Sequence, residues 1–278
     1  MAVHTILKEK EVINFLNNYN LNNFKKHTGI TEGIENTNYL IETISEKFIL
    51  TIFEERVEEK DLPFYFELMD YSFKHGINCP RAIVSKNNNR LINLKGKKCS
   101  LFTFIEGKCI NQWNEKNCYD VGSVLGKFHN VNSIMKIKKK NDYDIYGWKT
   151  LLEKCSHDMN SVIPNSYDTI LNELSFLEKT WPDKLPKGII HADLFPDNVL
   201  FLNNTISGII DFYFSSYDLF VYDLAVLINS WCFKDEIFNK KKCLSILNGY
   251  EINRKLLAEE KIFLNICLRG ASVRFFMT

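Results

Sequence analysis

The chain has 278 residues, 45% of them hydrophobic and 25% charged, and its 35 basic side chains against 34 acidic ones leave a formal charge of +1. That length holds one large domain or two modest ones, and the balanced charge excludes a general attraction to nucleic acid or to an anionic membrane, so any anion must be held by a local site. No window approaches 18 uninterrupted apolar residues, and the N-terminus lacks the basic-then-apolar order of a signal peptide, so a soluble, cytoplasmic chain is expected.

In chain order, residues 24–30 and 38–43 are short β-prone runs separated by a stretch containing Gly and Asn. Residues 47–53 carry apolar side chains on both faces, as a buried strand does. Leu62, Tyr65, Phe66, Met69 and Phe73 recur at three- and four-residue steps and predict an amphipathic helix ending near Gly76. Strands are expected at 81–84 and 99–105, flanking a loop at 87–89.

Beyond Gly107 the pattern turns helical. Val121, Val124, Leu125 and Phe128 mark one face of a helix over 118–130, and 148–159 and 167–180 predict two more. Short strands are expected at 188–190, 199–202 and 207–210, then helices over 221–230 and beyond Lys240. A β-rich lobe over 1–106 followed by a mainly helical lobe over 107–278 gives an α+β class.

The eight cysteines, Cys79, Cys99, Cys109, Cys118, Cys155, Cys232, Cys243 and Cys267, include no C-x-x-C pair and no tight metal-knuckle spacing. Scattered thiols fit a reducing compartment better than a disulfide framework. The basic run Lys136-Ile137-Lys138-Lys139-Lys140 reads as a solvated loop.

The chemistry concentrates in His191-Ala192-Asp193-Leu194-Phe195-Pro196-Asp197-Asn198, followed after two strand-like segments by Ile209-Ile210-Asp211. If a strand ends at His191 and a hairpin returns the chain to Asp211, the side chains of Asp193, Asn198 and Asp211 converge. Phosphoryl transfer needs a carboxylate to orient the attacking hydroxyl, together with oxygen ligands for Mg²⁺ bridging the phosphates. Each residue alone fits a polar hairpin turn; the spaced set does not. His191 reads as a brace for the loop.

With the order of elements before it, this segment resembles the aminoglycoside phosphotransferase and choline kinase-like superfamily, a branch of the protein-kinase-like fold. The opening Met1-Ala2-Val3, the run from Gly29 through Ile34 to Leu40, Asp61-Leu62-Pro63-Phe64 and Asp211-Phe212-Tyr213-Phe214 are similar to the kinase-like family of homoserine kinases, and so is Tyr222-Asp223-Leu224-Ala225, which many relatives share. The resemblance implies a bilobal fold with ATP and Mg²⁺ as cofactors and L-homoserine as substrate. Asp193 would be the catalytic base, with Asn198 and Asp211 on the metal. Gly29, Gly33 and Asn36 would cover the triphosphate, while Ile49, Thr51 and the hinge at Thr103, Phe104 and Ile105 would complete the nucleotide site. An ordinary hairpin and a buried strand are the bland readings of these last two stretches.

Thr51 stands where most kinase-like enzymes carry a lysine for the α- and β-phosphates. A threonine hydroxyl brings no positive charge. Lys47 lies four residues, roughly 13 Å, along the strand, so either loop amides and metal suffice or a residue such as Arg56 folds back; a pair between that lysine and Glu67 is also in doubt. Homoserine carries an ammonium and a carboxylate, for which Asp218, Asp223, Arg269 and Arg274 are candidates. Asp223 could equally cap a helix and Arg274 pair at the surface. The apolar, helical run at the C-terminus suggests a chain that ends before a further helix. The alternatives are a kinase for an aminoglycoside, choline, ethanolamine or methylthioribose, and a non-catalytic nucleotide-binding module.

Overall fold

The computed structural model describes residues 3–278 other than 22, 34, 55 and 157; Met1, Ala2 and Ile34 of the resembled stretches lie outside the described residues. The chain divides into two compact units, Met1–Glu106 and Gly107–Thr278, and its class is α+β.

The first unit opens with α1 (Glu9–Leu16), then β1 (Phe24–Ile30), β2 (Thr37–Thr43) and β3 (Lys47–Ile52), α2 (Leu62–Lys74), β4 (Ile92–Leu94) and β5 (Lys97–Thr103). The strands form one antiparallel sheet in the order β1-β2-β3-β5-β4. Alternation along β2 turns Tyr39 and Ile41 inward, where they join Leu50, Ile52 and Leu101 under α1. Helix α1 has the signal Val12, Phe15 and Leu16 at helical spacing, all buried, which the sequence reading passed over. The strand expected at 81–84 shrinks to a single bridge between Ala82 and Phe102. The edge place goes instead to β4, a tight hairpin with β5 through Lys95 and Gly96, both at positive φ.

The second unit contains α3 (Glu115–Asn132), α4 (Ile145–Cys155), α5 (Met159–Val162), α6 (Ser166–Thr180), β6 (Lys187–Ile190), β7 (Val199–Leu202), β8 (Thr205–Ile209), β9 (Ser216–Leu219), α7 (Phe220–Trp231), the two-residue strands β10 (Phe233–Lys234) and β11 (Ile237–Phe238), α8 (Lys240–Asn253) and α9 (Ala258–Met277). Asn114 and Asn239 cap α3 and α8 by accepting from backbone N–H groups three residues on. Helix α7 is apolar nearly all round and runs through the unit, with Phe220, Tyr222 and Val226 packed on Trp148, Leu174 and Ala271. Fully burying each such side chain contributes about 1.5–3 kcal/mol. Strands β6 and β9 pair antiparallel, as do β7 and β8; β9 was not foreseen. Among the described residues no helix is long and apolar enough to cross a membrane.

Candidate active site

Strand β6 delivers the chain to His191, and the loop from there to Asn198 is held from several directions. Asp223, in the first turn of α7, is fully buried and accepts from the N–H groups of His191 at 2.7 Å and Ala192 at 2.8 Å. Ala192 sits at φ 62°, a left-handed conformation that costs a residue with a Cβ about 1–2 kcal/mol. The indole N–H of Trp231 donates to the carbonyl of Leu194 at 2.9 Å. His191 accepts the N–H of Asp193 on Nδ1 at 3.3 Å and donates from Nε2 to Ile210 O at 3.1 Å. That pairing requires a neutral ring, and burial pushes its pKa down to about 4.

Asp193, Asn198 and the approach to Asp211 are brought together. Nδ2 of Asn198 donates to Asp193 at both the backbone carbonyl, 2.7 Å, and Oδ2, 3.0 Å. Both bonds use the amide nitrogen and neither uses the amide oxygen. Ile210 donates its N–H to Asn198 O at 3.0 Å, which sets the following residue, Asp211, beside the loop at φ 61°. A divalent ion prefers oxygen donors, and an amide oxygen with a carboxylate fits that chemistry. Among the described residues no group of three or more His, Cys, Asp and Glu could hold a metal, so a metal here would draw its other oxygens from water or a bound ligand.

In the first unit, Gly29 lies opposite Tyr39 one residue before the end of β1, and Gly33 takes φ 88° in the turn to β2, a conformation glycine adopts freely. Asn36 is buried and accepts from the Glu54 N–H at 3.3 Å. Thr51 pairs with Asn38 across β2 and β3 and donates to its Oδ1 at 2.7 Å. Lys47 pairs with Glu106 at 3.3 Å, and Arg56 pairs with Glu35 in the β1–β2 turn. Ile49 lies opposite Phe102. Thr103 closes the sheet, its N–H donating to Arg81 O and its hydroxyl accepting from Arg81 N, both at 3.0 Å. Phe104 and Ile105 lie beyond the end of β5. A groove of about 730 Å³ beside α2 is lined by Glu67, Asp70 and Arg90 and includes none of the expected nucleotide residues.

Of the four substrate candidates, Asp223 is spoken for by the loop and by Nε2 of His129 at 2.9 Å. Burial opposes its charge, but the His129 hydrogen bond and the neighbouring histidines hold its pKa below the ordinary carboxylate value. A buried carboxylate with three N–H donors is an anchor for the chain rather than a contact for a ligand. Arg269 makes a fork with Glu173 at 2.5 Å on both arms. Arg274 is 2% exposed and donates to Ala192 O and to Asp193 Oδ1 at 3.2 Å. Asp218 is half-buried and accepts from Asn141 and from the Leu219 N–H, each at 2.7 Å; burial pushes its pKa up. Sequence reading missed the anchors His129 and Trp231, each of which falls in an apolar helix pattern with no local signal of a polar role.

The sheet with its helix, the helical unit and the loop around Asp193 are those of a kinase-like phosphotransferase fold: the amicoumacin kinase structure, bound to AMP-PNP, Ca²⁺ and amicoumacin, matches 98% of this chain and 84% of its own at a TM-score of 0.76 and 17% identity. The model of the phosphotransferase enzyme family matches residues 26–240. The homoserine kinase of Beijerinckia indica is 41% identical over 100% of this chain and 87% of its own length, and that of Nitrobacter winogradskyi is 40% identical over 100% and 86%. The chain belongs to the phosphotransferase enzyme family, on the homoserine kinase branch of it.

Proposed function

We propose that this kinase transfers the terminal phosphoryl group of ATP to the side-chain hydroxyl of L-homoserine, giving O-phospho-L-homoserine for threonine biosynthesis. The observation that carries the reading is the full-length likeness to homoserine kinases on a chain that keeps Asp193 hydrogen-bonded to Asn198 beside Asp211. In this reading Met1–Glu106 is the nucleotide-binding lobe and Gly107–Thr278 the catalytic and substrate lobe.

Asp193 orients the substrate hydroxyl and accepts its proton. Arg274 donates to its Oδ1 and Asn198 to its Oδ2, bonds that aim the carboxylate it uses as a base. Asn198 through its amide oxygen and Asp211 through its carboxylate are the Mg²⁺ ligands, the ion supplying charge neutralisation at the phosphates. The β1–β2 turn with Gly29, Gly33 and Asn36 covers the triphosphate through backbone N–H groups. Arg56, which follows β3 and pairs with Glu35 of that turn, offers a guanidinium where Thr51 has no cation. Ile49 lines the adenine site and Thr103, Phe104 and Ile105 form its hinge. Asp218 takes the substrate ammonium.

An ADP-release assay across homoserine, choline, methylthioribose and kanamycin tests this. Turnover with homoserine alone is expected. Turnover with another of the four and none with homoserine would replace the substrate, and silence with all four would favour a nucleotide-binding module without catalysis.

A further inference from the structure

The residue before Asp193 is held on both sides. Ala192 takes φ 62°, with its N–H on Asp223 Oδ1 at 2.8 Å and its carbonyl accepting from Nη1 of Arg274. The same guanidinium reaches Oδ1 of Asp193 with Nη2 at 3.2 Å. One planar fork therefore grips a backbone oxygen and the side chain of the next residue, which fixes the carboxylate relative to its own peptide.

The surroundings of Arg274 leave the group little other use. It is 2% exposed and packs over the ring of Phe214 at 4.6 Å, with Tyr143 at 5.3 Å and Phe275 at 5.7 Å. Burial raises the pKa of the buried Tyr222 hydroxyl, and the charge of the same guanidinium works against that rise. A guanidinium enclosed this way needs an ionised partner, and Asp193 is the carboxylate paired with it. A free substrate carboxylate would have to displace Ala192 or Asp193 to reach the fork.

We propose that Arg274 is a positioning residue for Asp193, holding the left-handed Ala192 and the carboxylate in register, and that it does not grip the substrate carboxylate. The proposal rests on Asp193 being the group that orients the substrate hydroxyl. Misplacing such a group by about 1 Å costs on the order of 10²-fold in rate. R274M should therefore lower kcat roughly 10²-fold while leaving KM for ATP and for homoserine close to wild type. R274K keeps the charge and one of the two bonds, and should fall between R274M and wild type.

Steady-state kinetics of wild type, R274M and R274K with homoserine and ATP make the test. Wild-type kcat in R274M, or a raised KM for homoserine at unchanged kcat, overturns the proposal, the second result returning Arg274 to the substrate. If R274M does not fold, R274K decides: lowered kcat at unchanged KM supports the role, and unchanged kcat removes it. Absence of wild-type turnover would sink the homoserine reading alone. The crystal structure of R274M or R274K then tests the positioning role, which is lost if Ala192 keeps its positive φ and Asp193 its place.

Discussion

Asp193 is the residue on which the chemistry turns. Its side chain accepts from Arg274 on Oδ1 and from Asn198 on Oδ2, and an asparagine keeps one of these two bonds through its single amide oxygen. D193N is close in shape to the native side chain and should keep nucleotide binding while cutting kcat by roughly 10²-fold or more. Calorimetry with a non-hydrolysable ATP analogue, beside turnover, separates the two, and wild-type turnover would remove Asp193 from the mechanism. His191 makes a stability prediction. Its pKa falls from the ordinary 6.5 to about 4 because the ring is buried. Between those values the unfolded chain binds a proton that the native ring refuses. The contribution is complete above about pH 6.5 and is lost as the pH falls toward 4, on the order of 3 kcal/mol at full effect. Urea melts from pH 7.5 to 4.5 should show this slope, and H191Q should flatten part of it. The buried His129, whose pKa burial also lowers, adds a slope of the same sign that H191Q leaves in place.

Among the elements, the crossing of α3 on α8 is set by glycines. A Cβ on Gly122 would meet the carbonyl oxygen of Ile246 at 2.2 Å, and one on Gly126 that of Tyr250 at 2.5 Å. Backbone is the obstacle in both cases, so the helices would have to separate. This separation would disturb Tyr250, whose hydroxyl bonds Nδ1 of His129 at 2.7 Å, and through His129 the anchor at Asp223. G126A should cost about 1–3 kcal/mol and lower Tm by several degrees. K116A on the exposed face of the same helix, removing the pair with Asp120, should cost well under about 1 kcal/mol. Equal melting temperatures for the two variants would show that the crossing has room to spare.

For the whole molecule, ligand linkage supplies the test of the metal assignment. A ligand that binds only the native state at 100 times its Kd adds about 2.7 kcal/mol of stability. AMP-PNP with Mg²⁺ should raise Tm, and EDTA should remove most of that rise. D211N, which keeps a residue tolerant of the φ 61° at this position, should lose the Mg²⁺-dependent part and retain the melting temperature of the free protein. A D211N protein with the full Mg²⁺-dependent rise would take Asp211 out of the metal site.

The spaced set His191, Asp193, Asn198 and Asp211 was legible because its spacing is local, falling on one strand, one loop and one hairpin of continuous chain. The helices of Gly107–Thr278 were legible too, through side chains recurring every three or four residues. The edge strand β4 was not, because three residues following the polar stretch 85–90 carry too little pattern to be read as a strand. Nor were the supports of the active loop. Asp223, Trp231 and Arg274 meet it from 31, 37 and 82 residues away, and no local pattern names the partner of any of the three. Local order is written in periodicity, which neighbours along the chain can express. Which buried polar group meets which backbone atom depends on packing between distant segments, and only the folded chain decides it.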